Sequence, residues 1–306
     1  MNNRRVFLQQ TGIAALAALL SPSILSSALA GTTEKAMVNK IGIQLFTLRE
    51  QLLKDVKGVI AEVAKVGYNE VETYYGYPGA YAASGFWGLD AKAFKTLLEA
   101  NHLTSPSGHY NVSTFLSKNG DDEILKSHIE TAATVGQQYF VIPALPTEIR
   151  QSGTLDDYKE MAAKFNHAAE ICKKHGLKLA YHNHNFEFKD QGNGTTGYDV
   201  LLKETDPALV NFELDLFWAV NAGLDPVAMF AKNPGRFKLW HVKDMDKTDK
   251  AVFTEVGTGS IDFKNIFSHA KSSGLEYMFV EQDVIKGDPY QSIAQSISYI
   301  RKVLLK

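Results

Sequence analysis

The stretch Gly176-Leu177-Lys178-Leu179-Ala180-Tyr181-His182-Asn183-His184 decides how this chain is read. It follows a long amphipathic run, Leu155 to His175, which reads as a helix stopped by Gly176. Leu177 to His182 is a short apolar run of strand type, and it breaks off into a cluster of polar groups, His182-Asn183-His184-Asn185-Phe186-Glu187. A helix, a glycine, a short buried strand and a reactive strand end thus form one unit.

Outward from there the unit recurs. Ile41 to Phe46 reads as the first strand, and Leu52 to Val66 as a helix with Ile60, Val63 and Ala64 on one face, stopped by Gly67. The next strands are Asn69 to Tyr74, Leu103 to Ser107 and Tyr139 to Pro143, separated by helices Ala91 to Ala100 and Asp121 to Val135. Beyond the fifth strand come helix Tyr198 to Glu204, strand Val210 to Asp215, helix Pro226 to Ala231, strand Phe237 to Val242, helix Asp262 to Ser273, strand Tyr277 to Glu281 and helix Tyr290 to Leu305. Strict alternation implies a parallel sheet, because parallel strands need a crossover and the crossover is usually a helix. Eight such units favour an α/β fold closed into a (β/α)8 TIM barrel over an open doubly wound sheet. No G-x-G-x-x-G follows the first strand, as a dinucleotide site would require, and Gly257-Thr258-Gly259 is weak evidence for a phosphate site.

The chain has 306 residues. Residues 1–30 have the order of an export signal: Arg4-Arg5 before Phe7-Leu8, an apolar run from Ile13 to Leu20, and Ala28-Leu29-Ala30 as a cleavage-type end. The apolar run is shorter than the ~20 residues a membrane helix needs. The paired arginines resemble a twin-arginine signal; an ordinary secretory signal or an uncleaved anchor is the alternative. The expected mature protein is one catalytic domain, residues 31–306, periplasmic or otherwise exported and with no stable membrane insertion. That length suits a barrel of about 250 residues. The formal charge of −2, with lysines scattered among acids, gives no nucleic-acid footprint. Cys172 is the single cysteine, so the fold does not rest on an internal disulfide; the residue reads as half-buried in a helix.

In such barrels the chemistry sits at the C-terminal strand ends. The second strand ends near Glu72 and His109 follows the third. The fifth ends at His182 and His184, the sixth at Glu213-Leu214-Asp215, the seventh at His241-Val242-Lys243-Asp244, the eighth at Glu281-Gln282-Asp283. Imidazoles and carboxylates are expensive to bury unless paired or bound to metal, and their convergence points to a divalent cation. The expected ligands are His182, Asp215, His241 and Glu281. Two nitrogens and two oxygens suit Mn, Co, Fe or Zn better than Mg. His182 and His184, two apart, both face the lumen if the strand continues, so which one ligates stays open.

At these residues the chain resembles the sugar phosphate isomerase/epimerase superfamily with the xylose isomerase-like barrel, from about Ile41 onward. Tyr181-His182-Asn183-His184-Asn185-Phe186-Glu187-Phe188, Leu214-Asp215, Leu239-Trp240-His241-Val242-Lys243-Asp244, Phe279-Val280-Glu281-Gln282 and the loop Val256 to Phe263 carry the resemblance. Family ligands Asp, His and Glu carry over onto Asp215, His241 and Glu281. The family's first ligand, a Glu with an Asn three residues on, meets His182 and Asn185, a departure reminiscent of inosose-dehydratase-like members. The resemblance implies a metal-dependent isomerase or epimerase of a free sugar, keto-sugar or polyol, working by proton abstraction next to a carbonyl. A lyase or dehydratase at the same site is the alternative, and a non-catalytic sugar-binding barrel is the rival. A repair-nuclease relative would need a basic face, which the composition does not offer. Glu187, His184 and His109 are the candidate acid/base residues. Lys243, Trp218 and Glu72 are the candidate substrate contacts, with Phe46, Tyr74, Tyr75 and Trp87 as further rim aromatics. Barrels of this type often dimerise, so a homo-oligomer is expected.

Overall fold

Helix ends set the rhythm of the chain. Val56–Val66 stops at Gly67 and Glu123–Val135 stops at Gly136, both in the left-handed region (φ 110° and 91°), where a side chain is strained. Each turn releases the chain into a buried strand a few residues later. In the computed structural model, which describes residues 40–79 and 83–306, the strands are β1 (Gly42–Gln44), β2 (Glu70–Tyr75), β3 (Thr104–Tyr110), β4 (Tyr139–Ile142), β5 (Lys178–His182), β6 (Val210–Asp215), β7 (Phe237–Val242), a short ribbon of β8 (Asp244–Met245) with β9 (Phe253–Thr254), and β10 (Tyr277–Val280). The expected leader, residues 1–30, lies outside the described residues. No helix among the described residues is long and apolar enough to cross a membrane.

Eight strands close a parallel barrel in the order β1-β10-β7-β6-β5-β4-β3-β2. Closure is made where β1 pairs with β10 through Gly42 and Phe279. This is the (β/α)8 architecture expected from the alternation, and the helices wrap its outside. Period two sorts the side chains. Phe212 and Leu214, Tyr181, Trp240 and Val242 face the outer layer, in one core with Phe165, Ala168 and Cys172 of the helix Leu155–Lys174. Cys172 is fully buried there rather than half-buried. Tyr139, Val141, Ala180, Leu239 and Phe279 form a separate cluster, which fills the lower lumen. Higher on the same strands, polar side chains replace them.

Three departures from the expected elements have local causes. β1 ends at Gln44, because its side chain accepts the Phe46 N–H (3.0 Å) and turns the chain into a 3-10 helix, Leu45–Leu48. The first long helix starts at Val56 rather than Leu52, where Asp55 caps it through the Gly58 N–H (2.9 Å). Asp262–Ser273 is two pieces, Phe263–Ser268 and Ala270–Ser273. Short helices Thr147–Ser152 and Leu216–Asn221 sit on the loops after β4 and β6, where no sequence period announced them.

The Gly257-Thr258-Gly259 turn is organised by an internal acid. The buried Asp244 carboxylate accepts N–H bonds from Met245 (2.8 Å), Gly257 (2.9 Å), Gly259 (3.0 Å) and Ile261 (3.3 Å). A Cβ at Gly259 would collide with the Met245 carbonyl and with Asp244 itself. Asp244→Ala therefore strands several backbone donors at once, and urea unfolding should show a loss of about 3 kcal/mol. Unchanged stability would mean that water reaches these donors freely.

Candidate active site

The upper lumen is built in two layers. In the deeper one, Glu72 (β2), His109 (β3), Glu213 (β6) and His241 (β7) are all buried. Glu72 accepts from Gln44 Nε2 (2.8 Å), from the Ser107 hydroxyl, and from His241 Nε2 (2.6 Å). His109 Nε2 lies 2.6 Å from Glu213 Oε2 and 3.2 Å from Glu72 Oε2. The same Glu213 oxygen meets His182 Nδ1 at 3.0 Å. Glu72 and Glu213 thus grip His241 and His182 from below by one nitrogen each.

The other nitrogens face the rim. His241 Nδ1 is 2.8 Å from Glu281 Oε2, and His182 Nε2 is 3.9 Å from Asp215 Oδ2. Asp215 is aimed by its own backbone. Its Oδ1 caps the helix Leu216–Asn221 through the Trp218 N–H (3.0 Å), and its N–H is held by Asn183 Oδ1 (3.0 Å), which laces the ends of β5 and β6 together. That leaves Oδ2 buried without a hydrogen bond, 3.1 Å from the Lys243 ammonium. Lys243 is also 2.7 Å from Glu281 and donates to Asp283 (3.0 Å), so one ammonium lies among three carboxylates.

Asp215, His241 and Glu281 bring one ligand atom each within 4.8 Å of one another; His182 falls in a second such group, with His109, Glu213 and His241. The expected ligands therefore do not form a single set. The two groups exclude each other as simultaneous ion sites. Both use His241, and the deeper one draws on nitrogens already committed to Glu72 and Glu213. Imidazoles held from behind by carboxylates are the usual support of a metal ligand, which favours the rim set, with His182 Nε2 beside it. The residues fit a divalent ion: Asp215 Oδ2 is a buried oxygen without a hydrogen bond, the donors are mixed N and O, and three carboxylates (Asp215, Glu281, Asp283) gather around a single lysine.

Electrostatics agree with this division. Burial depresses His109, but Glu72 and Glu213 overrule it and hold the imidazole at about 9. Burial would raise Glu281, yet Lys243 and His241 keep it well below the ordinary carboxylate range. His182 is pushed well down by burial and by the cationic His241 and His109, so it stays neutral with a lone pair to offer. Burial and Lys243 lower His184 to about 3.

A cleft of about 380 Å³ opens above, lined by His109, His182, His184, Lys243, Glu281 and Asp283, by Arg150, and by apolar residues that include Phe46, Tyr77 and Leu145. His184, His109 and Lys243 thus lie where the sequence placed them. Five of the expected site residues do not line it, Asp215 and His241 of the rim set among them. Glu72, expected to touch substrate, is locked in the deeper layer. Trp218 packs beside His184 (ring centroids 5.9 Å apart) and under Lys243. Glu187, expected as an acid or base at the rim, is fully buried behind β5. Its Oε1 accepts the Tyr181 hydroxyl (2.6 Å), both its oxygens take the His184 N–H (3.0 Å), and burial pushes it up to about 7. Tyr74, Tyr75 and Trp87 pack in an aromatic cluster beside β2. Glu213 was passed over as a functional residue. Its spacing of two from Asp215 puts both on one face of β6, which was the available signal. Elemental analysis of purified protein should find one transition-metal ion per chain. Asp215→Ala or His241→Ala should abolish it, and Glu213→Gln should weaken binding about 10–100-fold. Full retention in Asp215→Ala would move the ion out of the rim set.

The model of the family described as xylose isomerase-like TIM barrel matches residues 60–303. Inosose dehydratase of Clostridium tetani is 25% identical over 279 residues, spanning 79% of this chain and 88% of that protein, and the Lacticaseibacillus casei enzyme is 24% identical over 79% and 87%. A sugar phosphate isomerase/epimerase from Parabacteroides distasonis superposes with a TM-score of 0.75 and is 31% identical, over 87% of this chain and 94% of that one. The IolI protein, solved with a bound zinc atom, has a TM-score of 0.69 at 17% identity, over 87% and 98%, and shares the fold. The closed eight-stranded barrel, the reactive groups gathered at its strand ends and the extent of these matches lead to one assignment: the chain belongs to the xylose isomerase-like TIM barrel family.

Proposed function

We propose that this chain is a metal-dependent enzyme that removes a proton from the carbon next to a carbonyl in an unphosphorylated keto-sugar or keto-polyol. The observation that carries the reading is the meeting of Asp215, His241 and Glu281 from three adjacent strands, with His182 beside them, at a point where Glu281 and His182 reach the lining of the cleft. The zinc of the IolI protein supports an ion in this class of barrel. A divalent ion held by these residues would polarise a carbonyl oxygen and offset the charge left by deprotonation. The chain's own groups do the rest. His184, which faces the cleft, accepts the proton. Lys243 lines the same cleft with its ammonium held by Asp283, and presents positive charge to a substrate oxygen.

Returning the proton to the neighbouring carbon isomerises the substrate; returning it to the opposite face epimerises it. The 31% identical sugar phosphate isomerase/epimerase supports this outcome. A second reading, loss of a β-hydroxyl with a proton as water, is favoured by the inosose dehydratase relatives. Two features speak for an unphosphorylated substrate. The glycine turn that resembles a phosphate cradle already holds Asp244, and the signal-like residues 1–30 suggest export to the periplasm, where sugar phosphates are scarce.

The test is turnover of keto-sugars and keto-cyclitols in D₂O, followed by NMR. Deuterium next to the carbonyl with retained carbon skeleton and oxygen count is the isomerase or epimerase outcome; a product lighter by one water is the dehydratase outcome. Metal-loaded protein that introduces no deuterium and consumes nothing across the panel would favour a sugar-binding barrel without turnover.

A further inference from the structure

Glu187 is built into the back of the site with more care than a solvated carboxylate would need. It sits in the 3-10 turn Phe186–Phe188, directly after β5. Tyr181 precedes His182 and points to the opposite side of the wall, so a carboxylate that holds Tyr181 is behind the barrel, not in it. Tyr158 of the helix Leu155–Lys174 and Tyr198 of the helix Gly197–Glu204 close the space around it. From there both oxygens reach forward to a single backbone donor, the His184 N–H. The segment between Tyr181 and Glu187 is thereby tied at both ends and in the middle.

What this tie fixes is an imidazole over the cleft. His184 is stacked on Phe186 (5.9 Å, 21° between planes), leans on Trp218 and lies 5.1 Å from His182. Its Nδ1 is buried and makes no hydrogen bond. Ring contacts set the tilt of the imidazole but leave its height over the cleft to the backbone, and Glu187 holds that backbone.

We propose that Glu187 is a positioning residue that acts through His184: from behind β5 it clamps the His184 backbone, and so places the imidazole over the cleft for proton transfer. This rests on the reading of His184 as the proton acceptor. Glu187 itself touches neither substrate nor ion. The side chain needs to be an acceptor of this length, and its charge is secondary.

The experiment is a double-mutant cycle on deuterium exchange into the best keto-sugar substrate, with the His184 ring signal followed by NMR in metal-loaded protein. Glu187→Ala should slow exchange about tenfold or more, in line with the cost of a small misplacement of a reacting group, and should shift the His184 ring signal. Glu187→Gln, which keeps an acceptor for the His184 N–H, should stay within about threefold of the parent and leave that signal in place. In a His184→Ala background, Glu187→Ala should cost less than about twofold, because the group it serves is gone. Equal losses in both backgrounds, or a Gln variant as impaired as Ala, would overturn the positioning role. If Glu187→Ala does not fold, Tyr181→Phe removes one of the two donors and should produce a smaller loss with the same dependence on His184. A parent protein that exchanges nothing would defeat the proposed reaction, and the clamp would then be decided by the ring signal alone: an unmoved His184 resonance in Glu187→Ala or Tyr181→Phe would dismiss it.

Discussion

An imidazole has two nitrogens, and the lumen of this barrel uses them in opposite directions. His182 and His241 each give one nitrogen to a carboxylate beneath, Glu213 or Glu72, and turn the other toward the rim. The direction of each ring is therefore set by two carboxylates, Glu72 and Glu213, that do not line the cleft. Removing them would leave the rings free to spin about χ2 and the rim donors without a common target. Glu72 is in turn tolerated because His241, Gln44 and Ser107 satisfy its oxygens in a space closed to water, while Glu213 is held through one oxygen by His109 and His182.

Charge follows the same vertical order. The lower lumen, Tyr139 to Phe279, is apolar and excludes solvent from below. The middle layer balances Glu72 and Glu213 against His109 and His241, which are held protonated by those carboxylates. Negative charge is left over at the top, where Asp215, Glu281 and Asp283 share one ammonium. That surplus draws a cation to this level, where an arriving ion would displace the proton that His241 shares with Glu281. The partition of layers along the strand axis comes from nothing more than the alternation of each strand, read from its buried end to its open end.

The sequence made the barrel legible because the evidence was repeated. β6 and β7 were bounded as observed, since each is an apolar run with polar ends, and the glycines after the helices marked where the strands begin. The rim donors were legible for the same reason: Asp215, His241, Glu281 and His182 all terminate runs that had to be strands. What could not be read was direction past a strand end. Glu187 lies five residues beyond His182, where a 3-10 turn rather than a continued strand decides the side of the wall it faces. Glu72 reads as a strand-end acid, but its depth in the lumen depends on the stagger of β2 against β3, which includes a register shift between Glu70 and Glu72. The helix Leu216–Asn221 is six residues long and has no period to detect; it exists because Asp215 caps it.

That cap ties two equilibria together. Asp215 spends Oδ1 on the first turn of a short helix and Oδ2 on the site. A helix of this length has little stability of its own, so its persistence depends on how firmly the carboxylate is held. Whatever binds at Oδ2 restricts the same side chain and so deepens the protection of the Trp218 amide against solvent exchange. One backbone proton on the loop after β6 thus becomes a native gauge of site occupancy, readable without label, chromophore or turnover.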